Sequence, residues 1–285
     1  MAALGTPQLE SVATAIANEI GLTDLQFCGH GAFKETFRAR TGVGEFVALK
    51  VLDRSKCNVL RTKREIEAAQ KCDSPYIAKI KQFGQHVTSH NERFDYVIEE
   101  FFAGGTLQDR LGANAIPADG VRKLGLPLCE ALGVLHQLRL VHRDIKPENI
   151  MFRNATDDPV LVDFGLVRDL AQTSLTLTWL PQGPGTPLFS SPEQLNNEKN
   201  LIDWRSDQFS VGLVLGLCLT GRHPFYSTGM TTGDIVDAMV RRQGCSVDFC
   251  GAASDAGCGF LIKMMAPWPV QRFPRPQSLV DQFKT

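Results

Sequence analysis

Leu9, Val12, Ile16 and Ile20 recur at helical spacing and predict an amphipathic helix over residues 9–20, with Gly21 as its stop. Residues 25–52 alternate apolar with polar and carry Gly29, Gly31, Gly42 and Gly44, a pattern of strands joined by hairpins. Residues 60–72 read as a helix. Strand character returns over 76–102, ending in Tyr96-Val97-Ile98. From residue 106 onward helical patterns dominate. The chain is therefore α+β, with a strand-rich first third and a helix-rich remainder. Ala103-Gly104-Gly105 falls at the change and is a natural hinge. The longest apolar stretch, Phe209 to Leu219, is about half the roughly 20 residues of a membrane span, so it is expected as a buried core helix.

Composition narrows the picture. The chain has 285 residues, ample for a sizeable core, and a net charge of −1. No global field draws it to nucleic acid or to an anionic membrane. Its start lacks a basic segment followed by an apolar run, so a secretory signal is not expected and a cytoplasmic location is. The eight cysteines are scattered without a CxxC, which favours reduced thiols over a disulfide framework. Cys245, Cys250 and Cys258 cluster without a nearby histidine and make a poor zinc site.

The candidate chemistry sits at residues 142–149, His-Arg-Asp-Ile-Lys-Pro-Glu-Asn, and at Asp163-Phe164-Gly165, which begins 14 residues after Asn149. Phosphoryl transfer needs a carboxylate near the attacking hydroxyl, oxygen ligands for magnesium, and positive charge on the transferring phosphate. Asp144 can supply the first, Asn149 with Asp163 the second, and Lys146 part of the third. The two motifs at this distance resemble the catalytic loop and metal-binding triplet of eukaryotic-type (Hanks-type) serine/threonine protein kinases. The string Ser191-Pro192-Glu193-Gln194-Leu195 is closer to the bacterial branch.

The resemblance covers residues 22–283 in the family's order and implies a bilobal fold: an N-terminal helix (1–21), a β-rich N-lobe (22–102) and an α-helical C-lobe (103–285). Gly29 and Gly31 stand in the glycine-rich loop over the phosphates, with Lys34 replacing its third glycine. Val47-Ala48-Leu49-Lys50 matches the third-strand motif. It implies Lys50 on the α/β-phosphates, fixed by Glu65, with Glu67 as the rival partner. Glu100 and Phe102 would bind adenine through their backbone, and Ala48 and Met151 complete the nucleotide set. Glu99 falls at the gatekeeper position, where a buried carboxylate wants a partner such as Lys50. A one-residue shift would put Ile98 there. Glu193 would pair with Arg272, and Asp207 would brace the catalytic-loop backbone. These three are structural roles.

Thr186 would approach Asp144 and Lys146. Thr173, Ser174, Thr176 and Thr178 lie between Asp163 and Glu193. Arg143 could bind an activating phosphate at Thr176 or Thr178, the alternative being a polar loop with no switch.

Together these residues imply transfer of the γ-phosphoryl group of ATP to protein serine or threonine, with Mg2+ as cofactor and Mn2+ as its substitute. Expected partners are a protein substrate and a transient homodimer for trans-autophosphorylation, with neither nucleic acid nor membrane. Three alternatives stay open: a pseudokinase scaffold, a small-molecule kinase of the aminoglycoside type, and a toxin-like kinase that inhibits growth.

Overall fold

The computed structural model describes residues 8–30, 34–53, 66, 70–111, 115–154, 158–163 and 187–284. The chain divides into two compact units. The smaller runs to Asp73 and resumes over Ala78–Phe102; the larger comprises Ser74–Ile77 and Ala103–Thr285.

The smaller unit holds helix α1 (Glu10–Ile20) and strands β1 (Thr23–His30), β2 (Lys34–Arg40), β3 (Phe46–Asp53), β4 (Ile80–Val87) and β5 (Arg93–Glu100). They form one antiparallel sheet in the order β1-β2-β3-β5-β4. Strand side chains alternate between faces. One face carries Phe37, Ala39, Val47, Leu49, Val51, Tyr96 and Ile98, and these close over Val12, Ala13, Ile16 and Ala17 of α1. The helix spacing seen in the sequence is thus the stripe that buries against the sheet. The opposite face carries Ala48, Lys50, Val97 and Glu99, which are also buried.

Both ends of α1 are satisfied. Leu9 at its N-cap offers no side-chain acceptor. Instead Glu35 of β2 reaches over, its two carboxylate oxygens accepting from the backbone N–H groups of Gln8 (2.8 Å) and Leu9 (2.9 Å). Gly21 ends the helix at φ 74°, a left-handed conformation that costs glycine little, and its N–H donates to the Ala17 carbonyl.

In the larger unit, α2 (Leu107–Arg110) leads to the long helix α3 (Ala118–Gln137), and the hairpin β6 (Ile150–Phe152) and β7 (Pro159–Leu161) follows. Then come α4 (Pro192–Leu195), α5 (Trp204–Thr220), α6 (Thr232–Val240), α7 (Val247–Asp255), α8 (Phe260–Met264) and α9 (Pro276–Val280). The apolar run 209–219 lies inside α5, which is buried on nearly every side and packs on α3. The segment 74–77 joins this unit through the Leu161 N–H, which donates to the Tyr76 carbonyl.

Gly104 donates its N–H to the Phe152 carbonyl at 2.9 Å, and a Cβ there would lie 2.5 Å from that oxygen. Close backbone approach therefore requires glycine. Among the described residues no helix is long and apolar enough to cross a membrane.

Candidate active site

The larger unit gathers the catalytic-loop residues by backbone pairing. β6 and β7 pair Ile150 with Leu161, and the Val162 N–H donates to the Asn149 carbonyl at 3.0 Å. Asn149, just before β6, and Asp163, just after β7, are therefore brought to the same end of the hairpin. His142, 1% exposed, ties the loop to this end. Its Nε2–H donates to the Val162 carbonyl (3.0 Å), while its Nδ1 accepts from the Asp144 N–H (3.4 Å).

The side chains then converge. Asn149 is buried, and its amide nitrogen donates to the Asp144 carbonyl (2.8 Å) and to Asp144 Oδ2 (2.9 Å). Lys146 Nζ lies 3.1 Å from the same Oδ2. With its nitrogen engaged, the Asn149 amide directs its oxygen elsewhere. That oxygen and the Asp163 carboxylate are hard donors of the kind magnesium takes, so the donor set fits the ion. Arg143 and Asp163 hold φ of 68° and 64°, left-handed conformations uncommon outside glycine. Such backbone persists where surrounding bonds over-determine it.

Around Arg143 those bonds are present. Asp207, near the start of α5, accepts from the backbone N–H of His142 (2.7 Å, Oδ2) and of Arg143 (2.8 Å, Oδ1). Burial pushes the Asp207 carboxyl up to about 7, against the pull of these two donors. Gln194 of α4 donates its amide to the Arg143 carbonyl at 2.9 Å.

α4 is anchored in turn by Glu193, which forms a two-pronged ion pair with Arg272 at 2.6 and 2.9 Å and also accepts from the Ser206 hydroxyl at 2.6 Å. Both charged side chains are fully buried. Burial pushes the Glu193 carboxyl up, but the bonds from Arg272 and Ser206 outweigh it and hold the group below its ordinary value.

In the smaller unit, Lys50 of β3 and Glu99 of β5 project from the face away from α1 and form a buried ion pair between Lys50 Nζ and Glu99 Oε2. The Glu100 N–H donates to the Lys79 carbonyl at 3.2 Å, and Phe102 is buried. Gly29 lies at the end of β1, Ala48 pairs in register with Glu99, and Met151 pairs with Val160 in the larger unit. Gly31, Glu65, Thr176, Thr178 and Thr186 lie outside the described residues.

Sequence inspection assigned no role to His142, Gln194 or Ser206. His142 stood inside a recognised motif, so that signal was available. The other two depend on folding across long sequence distances.

Residues 22–283 match the family described as protein kinase domain. The chain belongs to the protein kinase family. The serine/threonine-protein kinase PknB of Mycobacterium leprae is 32% identical over 258 residues, covering 86% of this chain and 39% of that protein. PknB of Mycobacterium tuberculosis is 30% identical over 262 residues, covering 87% and 40%. Serine/threonine-protein kinase RAD53 of Saccharomyces cerevisiae is 31% identical over 231 residues, covering 74% and 27%. The chain spans less than half the length of these curated relatives. Its likeness to the PknB proteins places it with the Hanks-type serine/threonine kinases. The strand-rich and helix-rich units are the N-lobe and C-lobe of that fold.

Proposed function

We propose that this kinase transfers the γ-phosphoryl group of Mg-ATP to serine or threonine hydroxyls of proteins. The observation that carries this reading is the Asp144–Lys146–Asn149 cluster. A single carboxylate oxygen of Asp144 is held by Asn149 at 2.9 Å and lies 3.1 Å from the Lys146 ammonium. In this arrangement Asp144 orients the incoming hydroxyl and accepts its proton late in the transfer. Lys146 places positive charge where the transferring phosphoryl group gains negative charge. Asn149 and Asp163 would hold a magnesium ion, whose charge would draw electron density from the phosphate oxygens. Lys50 positions the α/β-phosphates, and backbone groups of Glu100 and Phe102 hold the adenine; Ala48 and Met151 belong to the same proposed set of nucleotide-binding residues. Asp207, Gln194 and the Glu193–Arg272 pair keep the catalytic loop in place and do no chemistry.

The enzyme's own activation loop is a further proposed substrate, with Thr176 or Thr178 as acceptor and Arg143 as the group that would bind the phosphate. Such transfer between two copies requires only a transient dimer. Cytoplasmic placement belongs to the same proposal.

The test is transfer of radiolabelled γ-phosphate from Mg-ATP to a generic basic protein and to the kinase itself, with Asp144→Asn and Asp163→Ala run beside the wild type. Label on serine or threonine, reduced at least about 100-fold in both variants, is the expected outcome. Mapping the self-label to residues other than Thr176 and Thr178 would remove the activation-loop proposal. Equal label in the wild type and Asp144→Asn would remove the catalytic assignment.

A further inference from the structure

Cys245 and Cys250 flank the start of α7, and neither has a part in the site described above. Ser246 is the N-cap of that helix. Its hydroxyl accepts from the Phe249 N–H at 3.2 Å, and its own N–H donates to the Pro224 carbonyl at 2.9 Å. Cys245 therefore stands one residue before the cap and Cys250 four residues after it. In a capped helix these two positions meet, and apolar residues there form a staple across the first turn. Here both are cysteines. The Cys250 Sγ–H donates to the Cys245 carbonyl at 3.9 Å. Phe249, between them in the chain, packs on α5: a Cβ on Gly216 would lie 2.9 Å from its ring. The turn that carries the two thiols is thus fixed by its cap, by Pro224 and by Phe249.

Both residues are half-buried, so a small oxidant has access to them, whereas Cys258, the third cysteine of this stretch, is fully buried. We propose that Cys245 and Cys250 form a redox modification site that closes to an intramolecular disulfide on reaction with a hydroperoxide. With hydrogen peroxide the Cys250 thiolate attacks one oxygen and the O–O bond breaks. Cys250 becomes a sulfenic acid, and the departing hydroxide takes up the proton that the thiol released. The Cys245 sulfur then attacks the Cys250 sulfur, the S–O bond breaks, and the leaving hydroxide takes the Cys245 proton. Two thiols and one peroxide become one disulfide and two waters, with two electrons passing from sulfur to oxygen. Burial, with Cys250 nearby, pushes the Cys245 thiol up to about 12. That suits it to the second step, where its proton meets an acceptor as the bond forms. The competing account is a staple that packs and stays reduced.

Mass spectrometry separates the two. The folded full chain is treated with hydrogen peroxide, and its remaining thiols are alkylated after denaturation. Trypsin leaves Cys245, Cys250 and Cys258 on one peptide, residues 243–263. The expected product is that peptide two hydrogens lighter, alkylated once, at Cys258, and returned to three alkylated thiols by dithiothreitol. Cys245→Ser should stop at the Cys250 sulfenic acid, trapped by dimedone at least about tenfold more than in wild type. Cys250→Ser should leave Cys245 as a thiol. Exposed Cys28 reports the oxidant dose within the same sample.

Three alkylated thiols on the wild-type peptide, at a dose that oxidises Cys28, would overturn the proposal. So would a bond from Cys250 to Cys258 or to a second chain. The wild type alone decides the matter if a variant does not fold, and no kinase activity is read, so the result does not depend on the phosphoryl-transfer reading.

Discussion

Arg272 and Glu193 are both shut off from water, 79 positions apart in the chain, and each is the main reason the other can remain charged. The guanidinium uses all five donors, bonding the carboxylate twice, the carbonyls of Arg205 and Ala266 at 2.9 Å each and that of Pro267 at 3.4 Å. Removing one partner strands the other. Arg272→Met should therefore cost about 3–5 kcal/mol, while the double variant Arg272→Met/Glu193→Leu should lose clearly less, because no buried charge is left alone. Urea unfolding of both proteins checks this. Equal losses would mean that shape, and not charge, holds α4 against the 266–272 segment.

At the level of elements, α1 depends on a borrowed cap. Its N-terminal amides bond a carboxylate from β2, and that carboxylate also lies 3.1 Å from His30 at the end of β1. The helix is thereby fastened to both β1 and β2. Glu35→Ala removes both acceptors at once and should destabilise the smaller unit by about 1–2 kcal/mol, as cap losses do. Hydrogen exchange should locate the loss: faster exchange at the first turn of α1, with the last turn, closed by Gly21, less affected. Uniformly faster exchange across the sheet would show that Glu35 supports the strands and not the helix.

For the whole molecule, acid stability is set by groups buried in the larger unit. His223 donates from Nε2 to the Leu188 carbonyl at 2.9 Å, and its Nδ1 accepts from the Phe225 N–H at 3.2 Å. Burial pulls its pKa down to about 4, with the Leu188 bond opposing. The unfolded chain takes up this proton near pH 6.5 and the folded chain only near 4. The contribution of His223 is thus complete above about pH 6.5 and lost as pH falls toward 4. Glu193, held low, acts in the same direction below its ordinary carboxylate value. Asp207, pushed up to about 7, acts oppositely: its contribution is complete at low pH and is lost as pH rises through that range. Subtracting a variant isolates one group. Between pH 7 and 4.5, wild type should lose about 2–3 kcal/mol more than His223→Gln in chemical denaturation. Parallel losses would show that His223 does not set the acid limit.

Local pattern was enough for α1, for the strand-rich first third, for α5 and for the residues of the catalytic motifs, but not for α6 and α7; the helix read over 60–72 lies mostly outside the described residues. The spacing of Leu9, Val12, Ile16 and Ile20 is a property of one helix, and the run from Phe209 to Leu219 could only be a buried one. Asp144, Lys146 and Asn149 lie within six residues, so their convergence was legible in the chain order. The resemblance already paired Glu193 with Arg272, but tertiary structure alone decided which partner Glu99 meets. Lys50 and Glu99 are 49 positions apart, and the sequence left Glu99 with a choice of partners. Strand register put them on one face, where the cost of burying either charge alone makes the pair. The Glu35 cap on α1 and the grip of Gln194 on the Arg143 carbonyl are of the same kind. A polar side chain's hydrogen-bonding capacity is written in its residue type, but its partner is fixed only when folding removes water and leaves one donor or acceptor within reach.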